Sequence, residues 1–367
     1  MNKIRIVDVR LGKEELGNIT DAVKSGWISS KGKYIELFEK EFSSYIGMKY
    51  GVSSSNGTTA LHLALAAVGV KDGDEVVIPT LTNIANANTV HYTGAKPVFA
   101  DSTSDHWCID PEELDRLITK RTKAIVVVHL YGHPCDMDRI VKIAEERDLY
   151  LIEDAAEAHG AEYKGRKVGT FGNISCFSFY GNKIVTTGEG GMCLTNNAEL
   201  AEKMQVLRNQ GTKLKESHGN KYWTDVIGFN YRMTNLQAAI GAAQIKKIKQ
   251  IVVQKRKMAS HYNAFLDGID GVVTQPEMPW AKNVYWYYSI LIDKSKRNRL
   301  MDQLKRKGIE TRPFFYPLHM LPMYKSSRSL PVAQDLSARG INLPSSPNLT
   351  KDEIKYVCDS IEQILSK

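Results

Sequence analysis

The residue with the most chemistry available to it is Lys183. It stands just beyond a β-branched and aromatic run, residues 174–180, that reads as a buried strand, with a turn at Gly181-Asn182 between them. A lysine at the rim of a core is desolvated. Desolvation lowers its pKa and frees an amine for Schiff-base chemistry. Gly188, Gly190 and Gly191 follow, and glycine lets backbone approach a bulky ring or substrate closely. Taken alone, Lys183 reads as a surface lysine in a glycine-rich loop, because perturbed lysines mark functional sites only statistically.

Two further stretches change that weighting. Ser55-Asn56-Gly57-Thr58-Thr59 is a small-residue turn opening a helix. Free backbone N–H groups and the helix dipole suit a phosphate there, although an ordinary capped turn has the same look. Asp154 follows the apolar strand at 149–152, in Glu-Asp-Ala-Ala-Glu-Ala-His-Gly. A carboxylate in that place could face a ring nitrogen in a cleft, or cap a helix. Ligands of open α/β sheets bind at the carboxyl ends of the strands, where all three stretches fall. A phosphate cradle, an aspartate and a Schiff-base lysine, in that order, suit pyridoxal 5′-phosphate. The lysine holds the aldehyde, and the aspartate keeps the pyridine nitrogen protonated so that the ring is an electron sink. The same lysine, once displaced by a substrate amine, can move a proton as general base and acid.

Other classes fit less well. A nicotinamide-dependent oxidoreductase would carry G-x-G-x-x-G in its first βα turn, which here reads Ser-Asn-Gly-Thr-Thr. A transcription regulator with a sensor domain of this kind needs a DNA-binding domain. None fits ahead of a phosphate turn at residue 55, and none stands out behind it. Cys108, Cys135, Cys176, Cys193 and Cys358 lack paired spacing, which fits reduced thiols in a cytoplasm and no metal site. The N-terminus lacks the apolar core of a signal peptide, and no apolar run approaches membrane-span length. A net charge of +8 favours anionic small molecules, and its basic clusters, such as Lys305-Arg306-Lys307, lie in helical patterns that read as solvated faces. No motif for nucleic acid accompanies them.

The elements that must position these groups alternate between strand and helix. Residues 50–55, 75–79, 96–100, 124–130 and 149–152 read as strands. Between them, Leu61, Leu65 and Val68 mark a helix face, and Asp110-Pro111-Glu112-Glu113 is a helix start. Asp136 is expected to cap the helix carrying Ile140 and Ile143. Such alternation predicts a mostly parallel sheet covered on both faces. A long helical pattern from Thr234 to about Leu266 connects this large domain, residues 1–245, to a smaller mixed domain, residues 246–367. In the latter, 286–292 and 309–315 read as strands, 297–307 as a helix, and Ile354, Val357, Cys358, Ile361 and Leu365 as a closing helical stripe.

The chain resembles the fold-type I, pyridoxal-phosphate-dependent aminotransferases of nucleotide-sugar biosynthesis, the DegT/DnrJ/EryC1/StrS family. The resemblance covers nearly the whole chain. It rests on residues 26–32, Ser55-Asn56-Gly57-Thr58, residues 128–137 (Val-His-Leu-Tyr-Gly-His-Pro-Cys-Asp-Met), residues 152–158, Ser178-Phe179-Tyr180-Gly181-Asn182-Lys183, residues 228–234 and Arg312-Pro313-Phe314-Phe315-Tyr316-Pro317-Leu318-His319. It implies that Lys183 binds the cofactor aldehyde, that Asp154 pairs with the pyridine nitrogen, and that Glu157 lies near the ring hydroxyl. Gly57, Thr58 and Ser178 would hold the phosphate. Asn230 would reach it from the other subunit of a homodimer or higher oligomer, and Tyr316 and His319 would touch substrate. Related 3-dehydratases replace the lysine with histidine, so Lys183 implies transamination. The likeness is nearest to members that aminate C4 of a GDP-4-keto-6-deoxyhexose. That implies L-glutamate as donor and a precursor of surface polysaccharide as product, with UDP- or dTDP-linked sugars as the alternative. One residue departs from the pattern: many members carry an aromatic ring over the cofactor where this chain has Asn83. A loop asparagine commonly bonds its own backbone.

Overall fold

A computed structural model describes residues 3–9, 11–212, 224 and 226–366. Its centre is a seven-stranded sheet: β1 (Tyr50–Ser54), β2 (Glu75–Pro79), β3 (Lys96–Ala100), β4 (Thr122–Val128), β5 (Tyr150–Asp154), β6 (Ile174–Ser178) and β7 (Gly191–Thr195). The spatial order is β1-β7-β6-β5-β4-β2-β3. Every neighbouring pair from β6 to β3 is parallel, and β7 is antiparallel to both β1 and β6. The expected parallel sheet is present, with β7 as its single reversed strand.

The apolar runs explain why helices lie on both faces. Successive strand residues point to opposite faces. In β4, Ile125 and Val127 join one hydrophobic core, while Ala124 and Val126 join the other. The first core is completed by Ile35, Phe38, Phe42 and Ile46 of the helix Lys33–Ile46. The second is completed by Ala60, Leu61, Leu63, Ala64 and Leu65 of the helix Gly57–Ala67. A sheet that is apolar on alternate residues in both directions has no face left for water.

The long helix, Asn235–Leu266, begins where its capping signal lies. Thr234 Oγ1 accepts from Gln237 N, and Gln237 Oε1 accepts from Thr234 N. Its first half feeds the first core through Ala238, Ala242, Ile245 and Val252. Its second half, with Met258, Tyr262 and Leu266, packs into a third core containing Tyr288, Leu300, Ile354 and Ile361. That third core is faced by an antiparallel four-stranded sheet in the order Val273–Thr274, Tyr288–Leu291, Gly340–Leu343, Arg312–Pro313. Helices Lys294–Arg306 and Lys351–Leu365 cover it. Both strands expected here are shorter than their apolar runs. Residues 286–287 and 292 lie outside the strand Tyr288–Leu291, and residues 309–311 and 314–315 lie outside the strand Arg312–Pro313.

One expected cap is corrected. Asp136 precedes the helix Met137–Glu146, but its carboxylate does not bond the helix backbone. Asp136 Oδ1 instead accepts the Tyr163 hydroxyl at 2.8 Å. Strand-side partners outcompete a local cap when a buried phenol needs an acceptor.

Candidate active site

At the carboxyl ends of β1, β5 and β6 a cleft of about 690 Å³ opens between the central sheet and the four-stranded sheet. Its floor is the start of the helix Gly57–Ala67. Asn56 Oδ1 accepts from Thr59 N at 2.9 Å, and Asn56 O accepts from Ala60 N. The N–H groups of Gly57 and Thr58 are left with no partner among the described residues, and both residues line the cleft. Ser178, at the end of β6, lines it as well. A Cβ built on Gly57 would lie 2.7 Å from Ser178 Cβ, so only glycine lets the helix start this close to the serine. Two free N–H groups, a hydroxyl and a helix N-terminus form a seat for a phosphate.

Asp154 is the last residue of β5 and is buried. Its Oδ2 accepts from Asn86 Nδ2 at 2.9 Å and its Oδ1 from Ala156 N at 3.1 Å. No helix follows it, so it is not a cap. Burial raises its pKa, while the Asn86 and Ala156 hydrogen bonds and the Lys183 charge pull the other way. Glu157, three residues on, is buried too, and its Oε2 accepts from Tyr131 N at 2.7 Å. Burial pushes Glu157 up to about 7, against the pull of Lys183 and the Tyr131 N–H. Lys183 lies in the turn after β6. Burial lowers its pKa, and Glu157 and Asp154 oppose that shift. The three groups titrate against one another rather than singly. His159 is buried between Phe177 and Phe179, and burial drives it down to about 3, so it stays neutral.

Gly57, Thr58, Asp154, Glu157, Ser178, Lys183 and Tyr316 therefore share one cleft, with Tyr316 62 % exposed at its edge. His319 does not reach it. Its ring is buried, with Nδ1 bonded to Thr80 Oγ1 at 2.7 Å and Nε2 to Gln334 at 3.0 Å. Asn230 is exposed and does not line the cleft of its own chain. Gly191, the last of the glycines after Lys183, makes room for backbone. A Cβ on Gly191 would fall 2.2 Å from Asn56 O, so this residue clears β7 for the start of the phosphate turn. Asn83 lines the cleft, and its Oδ1 accepts from Ala85 N at 2.9 Å, the local backbone bond of a loop asparagine.

Sequence reasoning missed Asn86, Trp286, Tyr287 and Arg312, all of which contact or line this site. The two aromatic residues lie in what reads as a strand, and their escape from the ladder has no periodic signal. The structure also brings together His106, Cys108 and His133, whose donor atoms lie within 4.8 Å of one another, where the cysteine spacing pointed to no cluster. Both His133 nitrogens are engaged, one with Pro134 O at 2.7 Å and the other with the Met278 N–H at 3.1 Å. A lone pair already spent on an N–H does not ligate a metal.

The donor set fits pyridoxal 5′-phosphate: unpartnered N–H groups for its phosphate, a buried acid for its ring nitrogen and a desolvated lysine for its aldehyde. With an α/β sheet of this topology, they define a fold-type I aminotransferase that uses pyridoxal 5′-phosphate. Residues 9–362 match the DegT/DnrJ/EryC1/StrS aminotransferase family, and the chain belongs to that family. It is 46% identical to the GDP-perosamine synthase of Escherichia coli O157:H7 over 368 residues, covering 100% of both chains. It is 43% identical to the GDP-perosamine synthase of Vibrio cholerae, covering 98% of each. The fold superposes with a TM-score of 0.94 on Helicobacter pylori PseC, an aminotransferase of pseudoaminic acid biosynthesis, at 27% identity and covering 100% of both chains.

Proposed function

We propose that this chain transfers the amino group of L-glutamate to C4 of GDP-4-keto-6-deoxy-D-mannose, giving GDP-perosamine for a surface polysaccharide such as an O-antigen. The observation that carries this reading is Lys183 standing in one cleft with Asp154, Glu157 and the Gly57–Ser178 seat, in a chain that matches GDP-perosamine synthases from end to end.

Pyridoxal 5′-phosphate, when bound, supplies the electron sink. The chain's own residues do the rest. The N–H groups of Gly57 and Thr58 and the Ser178 hydroxyl anchor the phosphate. Asp154, whose bonds from Asn86 and Ala156 oppose the upward push of burial on its pKa, would hold a proton on the ring nitrogen. Glu157, pushed up to about 7, can keep its proton and donate it as a hydrogen bond to a ring hydroxyl. Lys183 must be a neutral amine to take a proton and an ammonium to return it. Burial favours the first form, and Glu157 and Asp154 favour the second. Arg312, at the mouth of the cleft, is paired among the described residues only with Glu310, at 2.9 Å, and is more than half exposed. Its planar guanidinium suits the diphosphate of a nucleotide sugar. We further propose a homodimer or higher oligomer in which Asn230 of one chain completes the phosphate seat of the other.

Incubating the enzyme with L-glutamate and a panel of GDP-, UDP- and dTDP-4-keto-6-deoxy sugars, and following amino sugar by mass, tests the reading. The expected product is a 4-amino-4,6-dideoxy sugar from the GDP substrate. Preferential turnover of a UDP or dTDP sugar would overturn the choice of nucleotide.

A further inference from the structure

Lys255 is an ionisable group that the chemistry above leaves unused. It lies in the long helix, is 3% exposed, and has no carboxylate partner among the described residues. A buried ammonium is costly, and an apolar side chain of that length would pack there more cheaply. Burial alone brings its pKa down to about 7. Its Nζ donates to two backbone carbonyls, Trp286 O at 2.9 Å and Ser345 O at 2.5 Å.

Those carbonyls have a common origin. Strands Tyr288–Leu291 and Gly340–Leu343 pair antiparallel, with Tyr288 opposite Leu343. Continued by two more residues in the same register, the ladder would bring Trp286 opposite Ser345. Instead it ends at Tyr288, whose N–H goes to Ser345 Oγ at 2.8 Å. Lys255 bridges the two carbonyls where strand pairing stops. Trp286 is thereby released from the sheet while its backbone stays fixed.

The released side chain meets Lys183. Trp286 Nε1 donates to Asn182 O, the carbonyl just before Lys183, at 2.8 Å. The Lys183 ammonium sits 3.7 Å from the Trp286 ring centroid. The Tyr287 ring stacks on Trp286, with centroids 4.0 Å apart. An indole face attracts a cation through its quadrupole, most strongly where water is excluded.

We propose that Trp286 is a positioning residue for Lys183: its indole face seats the Lys183 ammonium whenever that nitrogen is not bonded to the cofactor, and Lys255 fixes the seat. This rests on the reading of Lys183 as the cofactor-binding lysine. The seat keeps the free side chain from swinging away between the step that releases it and the step that recaptures it. It also favours the protonated form. The titratable groups around Lys183 are Asp154 at the end of β5 and Glu157 and His159 just after it, with Tyr131 and Tyr287 beside Glu157. Asp8, Lys247 and Lys255 lie across a small cavity of about 230 Å³ that Lys183 also lines. All of these remain in a Trp286 variant, so the ring face can be tested against a constant background.

The experiment uses holoenzyme converted with excess L-glutamate, which leaves Lys183 free. Trace labelling with acetic anhydride across alkaline pH, read by mass spectrometry on the Lys183 peptide, gives the titration midpoint of that amine. In Trp286→Leu the midpoint should fall by about one pH unit, the size an indole face gives a partly desolvated ammonium. Trp286→Phe should fall by roughly half as much, since benzene is the weaker face. Lys255→Met should move it the same way, because the ring loses its anchor. An exposed lysine in the same digest should not move. An unchanged Lys183 midpoint in folded Trp286→Leu overturns the proposal, and Trp286→Phe and Lys255→Met decide it should that variant fail to fold. Borohydride reduction of wild-type holoenzyme separates the two readings. Cofactor trapped on Lys183 with an immobile midpoint defeats only the seat, whereas cofactor trapped on another lysine defeats both.

Discussion

The Asn86 side-chain amide donates to Asp154 Oδ2 at 2.9 Å, and both residues are buried. Asn86 Oδ1 has no partner among the described residues, whereas Nδ2 also donates to Thr82 Oγ1 at 3.1 Å, which fixes the amide against the acid. The hydrogen bond to Asp154 is what offsets most directly the burial that drives the Asp154 pKa up. Asn86→Leu should leave Asp154 more easily protonated and weaken the cofactor's hold, by on the order of tenfold in affinity for one lost bond to a charged group. Cofactor titration into stripped enzyme, followed by fluorescence, measures it. Asp154→Asn removes the charge itself and should cost on the order of 10²-fold or more in rate. An unchanged rate in Asp154→Asn would mean that its position at the end of β5 is structural only.

Lys183→Ala should abolish both turnover and the visible absorbance of the lysine-bound cofactor. The fold should survive, because Lys183 makes no side-chain hydrogen bond among the described residues and lies in a turn at the cleft rather than in a core. Far-ultraviolet circular dichroism and absorbance on the same sample check the two halves. Wild-type turnover in this variant would end the assignment of Lys183.

Gly57→Ala places a Cβ 2.7 Å from Ser178 Cβ and 3.1 Å from its Oγ. One side must shift, and what shifts is the phosphate seat. Cofactor affinity should fall severalfold or more, with little change in global stability. In Gly57→Ala with Ser178→Gly the main clash is gone, so affinity should partly recover although a hydroxyl donor has been lost. Failure of the second change to restore anything would place the harm in the helix start itself, whose N–H groups are then misaligned.

Glu157 gives a pH signature of known sign. Burial lifts its folded-state pKa to about 7, above the 4.5 of a free glutamate. Between those values the unfolded chain has released the proton and the folded chain has not, so this group's contribution to stability is present below 4.5 and is lost as pH rises toward 7. Glu157→Gln removes that loss. Relative to wild type, the variant should gain in denaturant midpoint as pH is raised through this window, and constant differences at all pH values would place the Glu157 pKa near its free value.

The central sheet was legible because β4 and its neighbours are apolar on consecutive residues, a pattern that only two covered faces explain. The long helix was legible at its start because Thr234 and Gln237 form a reciprocal cap three residues apart. Asp154, Lys183 and the turn at residues 55–59 were legible as strand ends followed by polar or small residues. What stayed hidden depended on partners distant in sequence. Asp136 gives its carboxylate to Tyr163, and His319 buries its ring between Thr80 and Gln334. Trp286 leaves an apolar run because Lys255, 31 residues earlier, takes its carbonyl. Local propensity carries no information about which distant group will satisfy a buried polar atom.

A last prediction concerns how many chains make one site. Asn230 is exposed, lies outside the cleft of its own chain, and is tied to Asn209 by a single backbone bridge rather than packed into a core. In an isologous dimer the same surface serves both subunits, so two equal sites form at one interface and each borrows from the other chain. Lys183→Ala chains lack the amine. Asn230→Asp chains carry a carboxylate that repels the phosphate they would otherwise help to hold. In a hybrid, the cleft with alanine at position 183 also receives the aspartate, whereas the other cleft keeps its lysine and receives an intact asparagine. One of its two sites is therefore whole. Mixing two inactive parents under conditions that allow chains to exchange should return up to half of wild-type activity per hybrid dimer. Native mass spectrometry counts the hybrids, and the visible absorbance of lysine-bound cofactor should rise in step with them. Hybrids that form in quantity without any activity would assign Asn230 to local packing and leave each chain to build its site alone.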